Sequence, residues 1–323
     1  MSKIIRIYVH GGPEVLKLEG VAISEPGPGE ALIRQTAIGL NYADVYFRVG
    51  LYEAPLPTSL GVEAAGEVLA VGDGVTEFQP GDRVAYAGGP LGAYATERVI
   101  PADRLVKLPD EIDDTTAAAM LLQGFTAHYL LRRTRPVQAG DTILVHAAAG
   151  GVGLILCQWA KHIGATVIGV VSTPEKAEVA EAYGADHAIV GSANLPAEVK
   201  RITGGAMVQV VYDSVGKDTF MASLDCLAPL GMMVSYGIAS GPVPPVDLGV
   251  LAAKGSLFLT RPSLATYTAR REDRLAAATE LFEMVQKGIV NIRVNQTFPL
   301  ANAAAAHALL ESRQTTGSIV LIP

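Results

Sequence analysis

The chain has 323 residues, half of them hydrophobic and 18% charged, and carries a formal net charge of −7. This composition is globular, and the acidic balance without a block of Lys or Arg disfavours nucleic acid as a partner. Two cysteines rule out a disulfide framework, and no stretch of about 20 residues is apolar enough to span a bilayer. We therefore expect a cytoplasmic protein, with no membrane partner, that is long enough for two domains.

Residues 1 to about 120 are predicted to be rich in β-strands. Short runs of β-branched residues at 3–9, 30–40, 64–72 and 82–88 are separated by turn sequences such as EPGPGE and QPGDRV. Closely spaced short strands of this kind are typical of a barrel or a sandwich.

A helix is predicted at 115–134, and a regular alternation of strands and helices follows it. Strands are predicted at 142–147, 166–172, 187–190, 208–215, 232–237 and 256–260, with helices at 151–164, 174–184, 197–205 and 218–231. The alternation predicts a parallel sheet with helices on its faces. After this alternation the chain is predicted to rejoin the first, β-rich part. Two further helices are predicted there, at 271–290 and 301–314, followed by a closing strand at 317–323.

The stretch HAAAGGVGLILCQWAK, residues 146–161, joins the first of these parallel strands to its helix. Against the pattern G-x-G-x-x-G it places Ala148, Gly150 and Gly153. Gly150 would let the backbone approach a pyrophosphate, and Gly153 would let the helix pack closely on the strand. The helix N-terminus would face the phosphates with its N–H groups and its dipole. A plain tight turn is the alternative, but the long run of alternating strands and helices favours dinucleotide binding.

The end of the second parallel strand indicates which dinucleotide is bound. NAD-binding folds carry an acidic residue there for the ribose hydroxyls, whereas this chain carries Ser172 and Thr173, followed by Lys176. Hydroxyls and an ammonium group would attract a 2′-phosphate, so the sequence favours NADPH over NADH. Ser172 and Thr173 could also cap the helix that starts at Pro174, and both roles are compatible.

No cluster of metal ligands is visible in the sequence. The two cysteines are far apart, and the six histidines are scattered without a close pair, so a zinc site is not predicted. Reduction of an isolated ketone needs strong polarisation, whereas a quinone or a conjugated enone accepts hydride readily. The sequence therefore favours an activated acceptor.

Several stretches together resemble the zinc-free, zeta-crystallin-like quinone oxidoreductases of the medium-chain dehydrogenase/reductase superfamily. They span nearly the whole chain and include HGGPEVL (10–16), AIGLNYADVYFRVGLY (37–52), LGVEAAGEV (60–68), the glycine-rich stretch, VVYDSVGKDTF (210–220) and ESRQTTGSIVLIP (311–323). Zinc-bearing relatives have Gly-His-Glu where this chain has Gly61-Val62-Glu63.

The resemblance implies an α/β protein with a GroES-like β-rich catalytic domain, 1–124 and 265–323, and a Rossmann NADPH-binding domain, 125–264, with the cofactor in the cleft between them. It also implies the site residues. These are Asn41, Tyr42, Asp44 and Tyr46 at the nicotinamide, Thr126 and Tyr129 at the domain junction, Gly151 and Val152 at the pyrophosphate, Ser172 to Lys176 at the 2′-phosphate, Gly216 at the adenosine, Leu259 to Arg261 at the carboxamide, and Arg313 as an additional cation.

Each assignment has a plainer alternative. Tyr46 and Tyr52, expected in the substrate pocket, could be ordinary half-buried aromatics, and Asp44 could bond local backbone amides. Glu63 is expected to order the turn after Leu60-Gly61 and to take no part in the chemistry. Arg313 could form a surface ion pair with Glu311. Relatives often have Tyr at position 191, where this chain has Gly191.

The hypothesis is that NADPH gives hydride to a quinone, with Asn41, Tyr46 and Thr126 shaping the pocket and donating hydrogen bonds to the acceptor oxygen. One rival is a 2-alkenal or enone reductase on the same scaffold. Another is a non-enzymatic NADPH-binding protein, crystallin-like or RNA-binding, which the acidic balance disfavours. A homodimer is also expected, formed through an apolar edge strand at 255–260.

Overall fold

The computed structural model describes residues 1–323 and divides into two compact units. The first unit comprises Met1–Phe125, Thr268–Gln286 and Ile292–Pro323, and the second comprises Thr126–Tyr267 and Lys287–Asn291. None of the helices has both the length and the apolarity that crossing a bilayer requires.

The strands, in chain order, are β1 (Ser2–Ile7), β2 (Lys17–Val21), β3 (Glu30–Leu40), β4 (Thr58–Ser59), β5 (Glu63–Val71), β6 (Arg83–Ala87), β7 (Glu97–Pro101), β8 (Val106–Lys107), β9 (Thr142–His146), β10 (Thr166–Val171), β11 (His187–Val190), β12 (Val208–Asp213), β13 (Leu227–Ser235), β14 (Phe258–Thr260), β15 (Val294–Pro299) and β16 (Ser318–Ile322). The α-helices are α1 (Tyr42–Arg48), α2 (Asp114–Tyr129), α3 (Gly151–Ile163), α4 (Pro174–Ala182), α5 (Leu195–Ile202), α6 (Phe220–Asp225), α7 (Gly249–Ala253), α8 (Leu264–Tyr267), α9 (Arg271–Gln286) and α10 (Ala303–Glu311).

The first unit is built on two sheets. A seven-stranded sheet has the order β15-β16-β3-β5-β6-β8, with β7 paired to β3, and a three-stranded sheet has the order β2-β1-β4. Strand β3 alternates inward and outward residues before its last four become buried, so Ile33 and Ile38 join the core. The β-rich character predicted for the N-terminal part of the chain is confirmed.

The second unit contains one six-stranded sheet of order β11-β10-β9-β12-β13-β14, with every pair parallel. Counted along the chain, this is the 3-2-1-4-5-6 order of the doubly wound Rossmann fold, in which ligands bind at the carboxyl ends of the strands. The predicted alternation of strands and helices is confirmed, and the predicted last strand, at β14, lies at the sheet edge.

The predicted helix at 218–231 is wrong in its second half. Helix α6 ends at Asp225, and β13 begins at Leu227, which pairs with Val208 of β12. The register then shifts, and Leu230 takes a left-handed conformation at φ 61°. Pro229 could not continue a helix because it lacks an N–H donor, so the pairing with β12 decides the conformation here.

Helix α3 begins immediately against the end of β9. A Cβ atom at Gly153 would lie 2.3 Å from the carbonyl oxygen of Ala147 and 2.8 Å from Cα of Ala148. Both neighbours are backbone, so neither can move aside cheaply. The predicted role of Gly153 in close helix–strand packing is consistent with this geometry.

Replacing Gly153 with Ala should therefore destabilise the second unit by about 2–3 kcal/mol, since overpacking against backbone outweighs the gain in helix propensity of about 1 kcal/mol. Gly20→Ala is the matched control, because its Cβ atom would meet only Sδ of Met1, at 3.6 Å. Denaturant unfolding of both variants measures the difference. Equal midpoints for the two variants would contradict the steric argument.

Candidate active site

The glycine-rich turn places the start of α3 at the carboxyl edge of the parallel sheet. No side chain caps this end of the helix. The N-cap residue of α3 is Gly150, which makes no side-chain cap bond, and its N–H donates to the carbonyl of Ala147 at 2.8 Å. The N–H groups of the first helical turn, at Gly151 and Val152, have no partner within the helix. Together with the helix dipole they form an anion-binding geometry.

The residues after β10 lie at the same sheet edge. Ser172 is exposed, and Thr173 is the N-cap of α4, with its hydroxyl accepting from the N–H of Lys176 at 3.4 Å. The alternative role of Thr173 as a helix cap is thus confirmed. Partial burial lowers the pKa of the Lys176 ammonium from its usual value. Two hydroxyls and an ammonium group therefore come within one helical turn.

A buried polar cluster holds the loop after β12. Oδ1 of Asp213 accepts from the N–H groups of Val215 and Gly216 at 2.7 and 3.1 Å, and Oδ2 accepts from the hydroxyls of Thr219 and Ser223 at 2.7 and 3.1 Å. Because Ser223 donates to Asp213, it accepts from Nε2 of His146 at 2.9 Å. Asp213 thereby connects the Gly216 loop to the strand that precedes the glycine-rich turn.

The other predicted residues of the second unit are placed as follows. Thr126 and Tyr129 are both buried near the end of α2, and the Tyr129 ring stacks on Tyr267 at a centroid distance of 4.5 Å. Leu259 lies on the edge strand β14, and Nη1 of Arg261 donates to the carbonyl of Ser235 at 2.8 Å.

Position 191, where the resemblance implies Tyr, holds a glycine. Gly191 adopts φ 78°, with no atom within 4 Å of a Cβ atom built there. A tyrosine at this position would have room, but it would be strained in the left-handed region. The backbone conformation thus accounts for glycine here.

In the first unit, helix α1 brings four of the predicted residues together. Its N-cap is Asn41, whose N–H donates to Oδ2 of Asp44 at 2.9 Å. Asp44 is fully buried, and burial raises the pKa of its carboxyl to about 7, while the hydrogen bond from Asn41 lowers it. The interpretation of Asp44 as a partner of local backbone amides is confirmed. The sequence analysis predicted no helix here, although an acidic residue three positions after Asn is a capping signal.

The Asn41 side chain binds Glu63. Nδ2 of Asn41 donates to Oε2 of Glu63 at 2.7 Å, and the N–H of Leu122, in the middle of α2, donates to Oε1 at 2.7 Å. Glu63 is fully buried, and burial raises the pKa of its carboxyl to about 8. The expectation that Glu63 only orders the turn after Gly61 is wrong, because its carboxylate joins two elements distant in sequence.

Two further side chains continue this cluster. Ser318, on β16, lies with its hydroxyl 2.8 Å from Oε1 of Gln123 and 2.8 Å from the carbonyl of Ala119. Nε2 of Gln123 in turn points at Oδ1 of Asn41, at 3.5 Å. Sequence analysis found neither Gln123 nor Ser318, since nothing near them in the chain marks them as polar partners of Asn41.

The tyrosines of this region form an aromatic group. The Tyr46 ring lies 6.2 Å from Tyr42 and 5.2 Å, edge to face, from Tyr52. Tyr52 also contacts Phe47 edge to face. Tyr46 is buried and Tyr52 is half-buried, and the rings are tilted or edge to face relative to one another, so they form an aromatic cluster on the helix that Asn41 caps.

The predicted cation Arg313 lies close enough to Tyr42 to lower its phenol pKa, although burial, the larger effect, raises it. Glu311, considered as an ion-pair partner of Arg313, binds the buried Arg48, with Nη2 and Oε1 at 2.7 Å. Arg48 also bonds Nδ1 of His307 at 3.0 Å, and burial together with this cation lowers the pKa of His307 to about 3. Arg48 is therefore built into the fold of the first unit.

The structure brings together no group of three or more His, Cys, Asp or Glu side chains that could hold a metal ion. Both cysteines are buried, and neither forms a disulfide. What the side chains do provide is a phosphate-binding geometry in the second unit and, in the first unit, an oriented amide beside aromatic rings.

Comparison with known proteins gives the family. Residues 27–110 match the alcohol dehydrogenase GroES-like domain, and residues 151–283 match the zinc-binding dehydrogenase family. The chain is 54% identical to a quinone oxidoreductase of Pseudomonas aeruginosa over the full length of both proteins. It is 49% identical to a 2-haloacrylate reductase of a Burkholderia species, with 98% of each chain covered.

Among solved structures, the Escherichia coli quinone oxidoreductase complexed with NADPH superposes with a TM-score of 0.97 and 48% identity, covering 99% of this chain and 100% of that one. These matches confirm the predicted fold class of a GroES-like domain combined with a Rossmann domain. The chain therefore belongs to the quinone oxidoreductase family of the medium-chain dehydrogenase/reductase superfamily.

Proposed function

We propose that the chain is an NADPH-dependent quinone oxidoreductase that transfers hydride from NADPH to a quinone without a metal ion. The observation that carries this proposal is the full-length likeness to quinone oxidoreductases, one of them solved with NADPH. In this proposal residues 125–264 form the cofactor-binding domain, and 1–124 with 265–323 form the catalytic domain.

The residues of the second unit fit the cofactor. The start of α3 without a side-chain cap, at Gly150, Gly151 and Val152, would hold the pyrophosphate by its N–H groups, because no side chain there occupies the place of an anion. Ser172, Thr173 and Lys176 would hold the 2′-phosphate. Further contacts would come from Gly216 at the adenosine and from the backbone of Leu259 to Arg261 at the carboxamide.

When bound, NADPH would supply the hydride. In the first unit Asn41 would donate a hydrogen bond to the acceptor oxygen as that oxygen gains negative charge. In the second unit Thr126 and Tyr129 are proposed as cofactor contacts. Tyr46 and Tyr52 would stack on the flat acceptor. In the first unit Tyr42 and Arg313 would line the nicotinamide end, while the fully buried Asp44 would hold the start of α1. A single neutral amide polarises a carbonyl only modestly, which suits a quinone because its reduction restores an aromatic ring.

A reductase of activated carbon–carbon double bonds is the second candidate. The likeness to a 2-haloacrylate reductase favours it specifically, since that relative covers the same length at 49% identity. Both candidates share the cofactor site and the hydrogen-bond donor, so only the shape of the acceptor separates them.

A homodimer is proposed from the edge of the parallel sheet. Phe258 and Leu259 on β14 are exposed, as is Leu230 beside them, whose N–H donates to the carbonyl of Gly255. An open apolar edge strand is normally covered by another chain. We also propose a cytoplasmic location, which the two free cysteines support.

Purified protein should oxidise NADPH in the presence of simple benzoquinones and naphthoquinones, and about tenfold more slowly with NADH, because Lys176 and its neighbouring hydroxyls favour a 2′-phosphate. Absorbance at the nicotinamide band measures the rate, with 2-alkenals and 2-haloacrylate tested alongside. Turnover of the enones alone would favour the second candidate, and no turnover with any acceptor would overturn both.

Gly150→Leu should weaken NADPH binding on the order of 100-fold, equivalent to about 2.7 kcal/mol, because the side chain fills the place of the pyrophosphate. Titration of nucleotide fluorescence measures the dissociation constant. Gly150→Ala is the control, since its Cβ atom would meet only the carbonyl of Ala147, at 3.2 Å, and it should have a much smaller effect. A folded Gly150→Leu protein that binds NADPH like the parent would contradict the proposed phosphate site.

Phe258→Glu should convert a homodimer to a monomer, because it places a charge on the exposed apolar edge of β14. Light scattering coupled to size-exclusion chromatography gives the mass. Leu18→Glu is the matched control, as Leu18 is also exposed on an edge strand, β2 of the first unit. A monomeric parent, or a dimer that survives Phe258→Glu, would count against this interface.

A further inference from the structure

We propose that Glu63 is a positioning residue that fixes the orientation of the Asn41 amide, so that one Nδ2–H is held ready for the acceptor oxygen. This inference rests on the proposed function, since it assigns the donor of that reaction. It adds a residue that sequence analysis had excluded from the chemistry.

Every contact of the Asn41 side chain points to the same orientation. Above its pKa of about 8 the Glu63 carboxyl is ionised and only accepts hydrogen bonds, so the group 2.7 Å from Oε2 is then the Nδ2 donor. On the other side, Gln123 directs its Nε2 at Oδ1 of Asn41. The Ser318 hydroxyl has one hydrogen for two acceptors, the carbonyl of Ala119 and Oε1 of Gln123, both at 2.8 Å, so it holds Gln123 in place beside Asn41 without alone setting the direction of its amide.

A glycine on β3 leaves space for this arrangement. A Cβ atom at Gly39, on β3, would lie 2.3 Å from Oε2 of Glu63 and 2.3 Å from the carbonyl of Ala118. Glycine at this position is therefore what admits the carboxylate. The buried carboxylate is balanced by two N–H donors, from Asn41 and Leu122, and by no direct ion pair.

A primary amide carries two N–H hydrogens, and Glu63 takes one of them. The second Nδ2–H is thereby fixed in direction by the plane of the amide. With a rotated amide, Oδ1 would face the acceptor and repel the oxygen as it gains charge. Orientation of this donor is therefore worth a large factor in rate, because a misdirected dipole cannot stabilise the developing charge.

The charge state of Glu63 links this arrangement to pH. Its pKa is raised to about 8, first by burial, and the nearby Asp44 carboxyl on α1 raises it as well. Tyr86 on β6 is the other titratable neighbour; burial is the main cause that raises its phenol pKa, and the Glu63 charge raises it as well. The packed residues of α2 and β16, Gln123 and Ser318, are neutral. Protonated Glu63 loses an acceptor, so kcat should rise with pH through about 8 as the carboxyl ionises.

The test is a double-mutant cycle. Glu63→Gln keeps the size but replaces one acceptor with a donor, and it should lower kcat for the quinone about 10- to 100-fold while leaving the NADPH dissociation constant unchanged. Asn41→Ser removes the amide and keeps a good N-cap. In the Asn41→Ser background, Glu63→Gln should change kcat less than twofold, and the rise of kcat near pH 8 should be absent from every Glu63→Gln protein.

Equal losses from Glu63→Gln in both backgrounds would mean a merely structural role and would overturn the proposal. If Glu63→Gln fails to fold, Gln123→Glu takes its place in the cycle, because it points an acceptor at Oδ1 of Asn41. It should lower kcat more than fivefold in the parent background only, and an unchanged kcat would equally overturn the proposal.

A readout without turnover separates this proposal from the proposed function. The side-chain amide resonance of Asn41, identified by its loss in Asn41→Ser, should titrate near pH 8 in the ligand-free parent and not in Glu63→Gln. A titrating amide in a protein that reduces no quinone would retain the coupling and reject the function. An amide that does not titrate would reject the coupling.

Discussion

The close approach of α3 to the end of β9 is the constraint on which the rest of the second unit depends. At Gly153 the helix lies so near the carbonyl of Ala147 that no side chain fits. This contact brings the start of the helix directly to the edge of the parallel sheet. The loops after β10, β12 and β14 end at the same edge because the strands are parallel. A phosphate-binding geometry follows from the packing of one helix on one strand.

The first unit buries two carboxyl groups, those of Asp44 and Glu63, and neither forms an ion pair. Asp44 and Glu63 lie on either side of Asn41, one binding its backbone N–H and the other its side-chain Nδ2. Burial raises the pKa of both carboxyls toward the neutral range, and the nearby Asp44 carboxyl raises the pKa of Glu63 further. Burial of a charge is costly unless hydrogen bonds satisfy it, and each carboxyl here accepts N–H groups. Val62 precedes this glutamate, and the Glu63 carboxyl binds the Asn41 amide.

The sequence predicted the second unit more completely than the first. Short-range patterns carried that prediction: apolar runs for β9 and β10, the glycines before α3, and Thr173 ahead of Pro174. The prediction was wrong in the second half of 218–231 because β13 begins at Leu227, which pairs with Val208 of β12, and such pairing depends on a strand distant in the sequence. Helix α1 was missed because its short apolar pattern is weak, although its cap residues were present.

Local sequence by itself determined the parallel sheet, the glycine-rich helix start and the aromatic and amide residues near position 41. Each of these depends on periodicity, backbone sterics or a few adjacent residues. Only the tertiary structure decided what the Asn41 amide binds, because Glu63 reaches it through the pairing of β3 with β5 and Gln123 reaches it through the packing of α2. Hydrogen-bond partners distant in the chain are set by strand register and helix placement, and no local pattern encodes them.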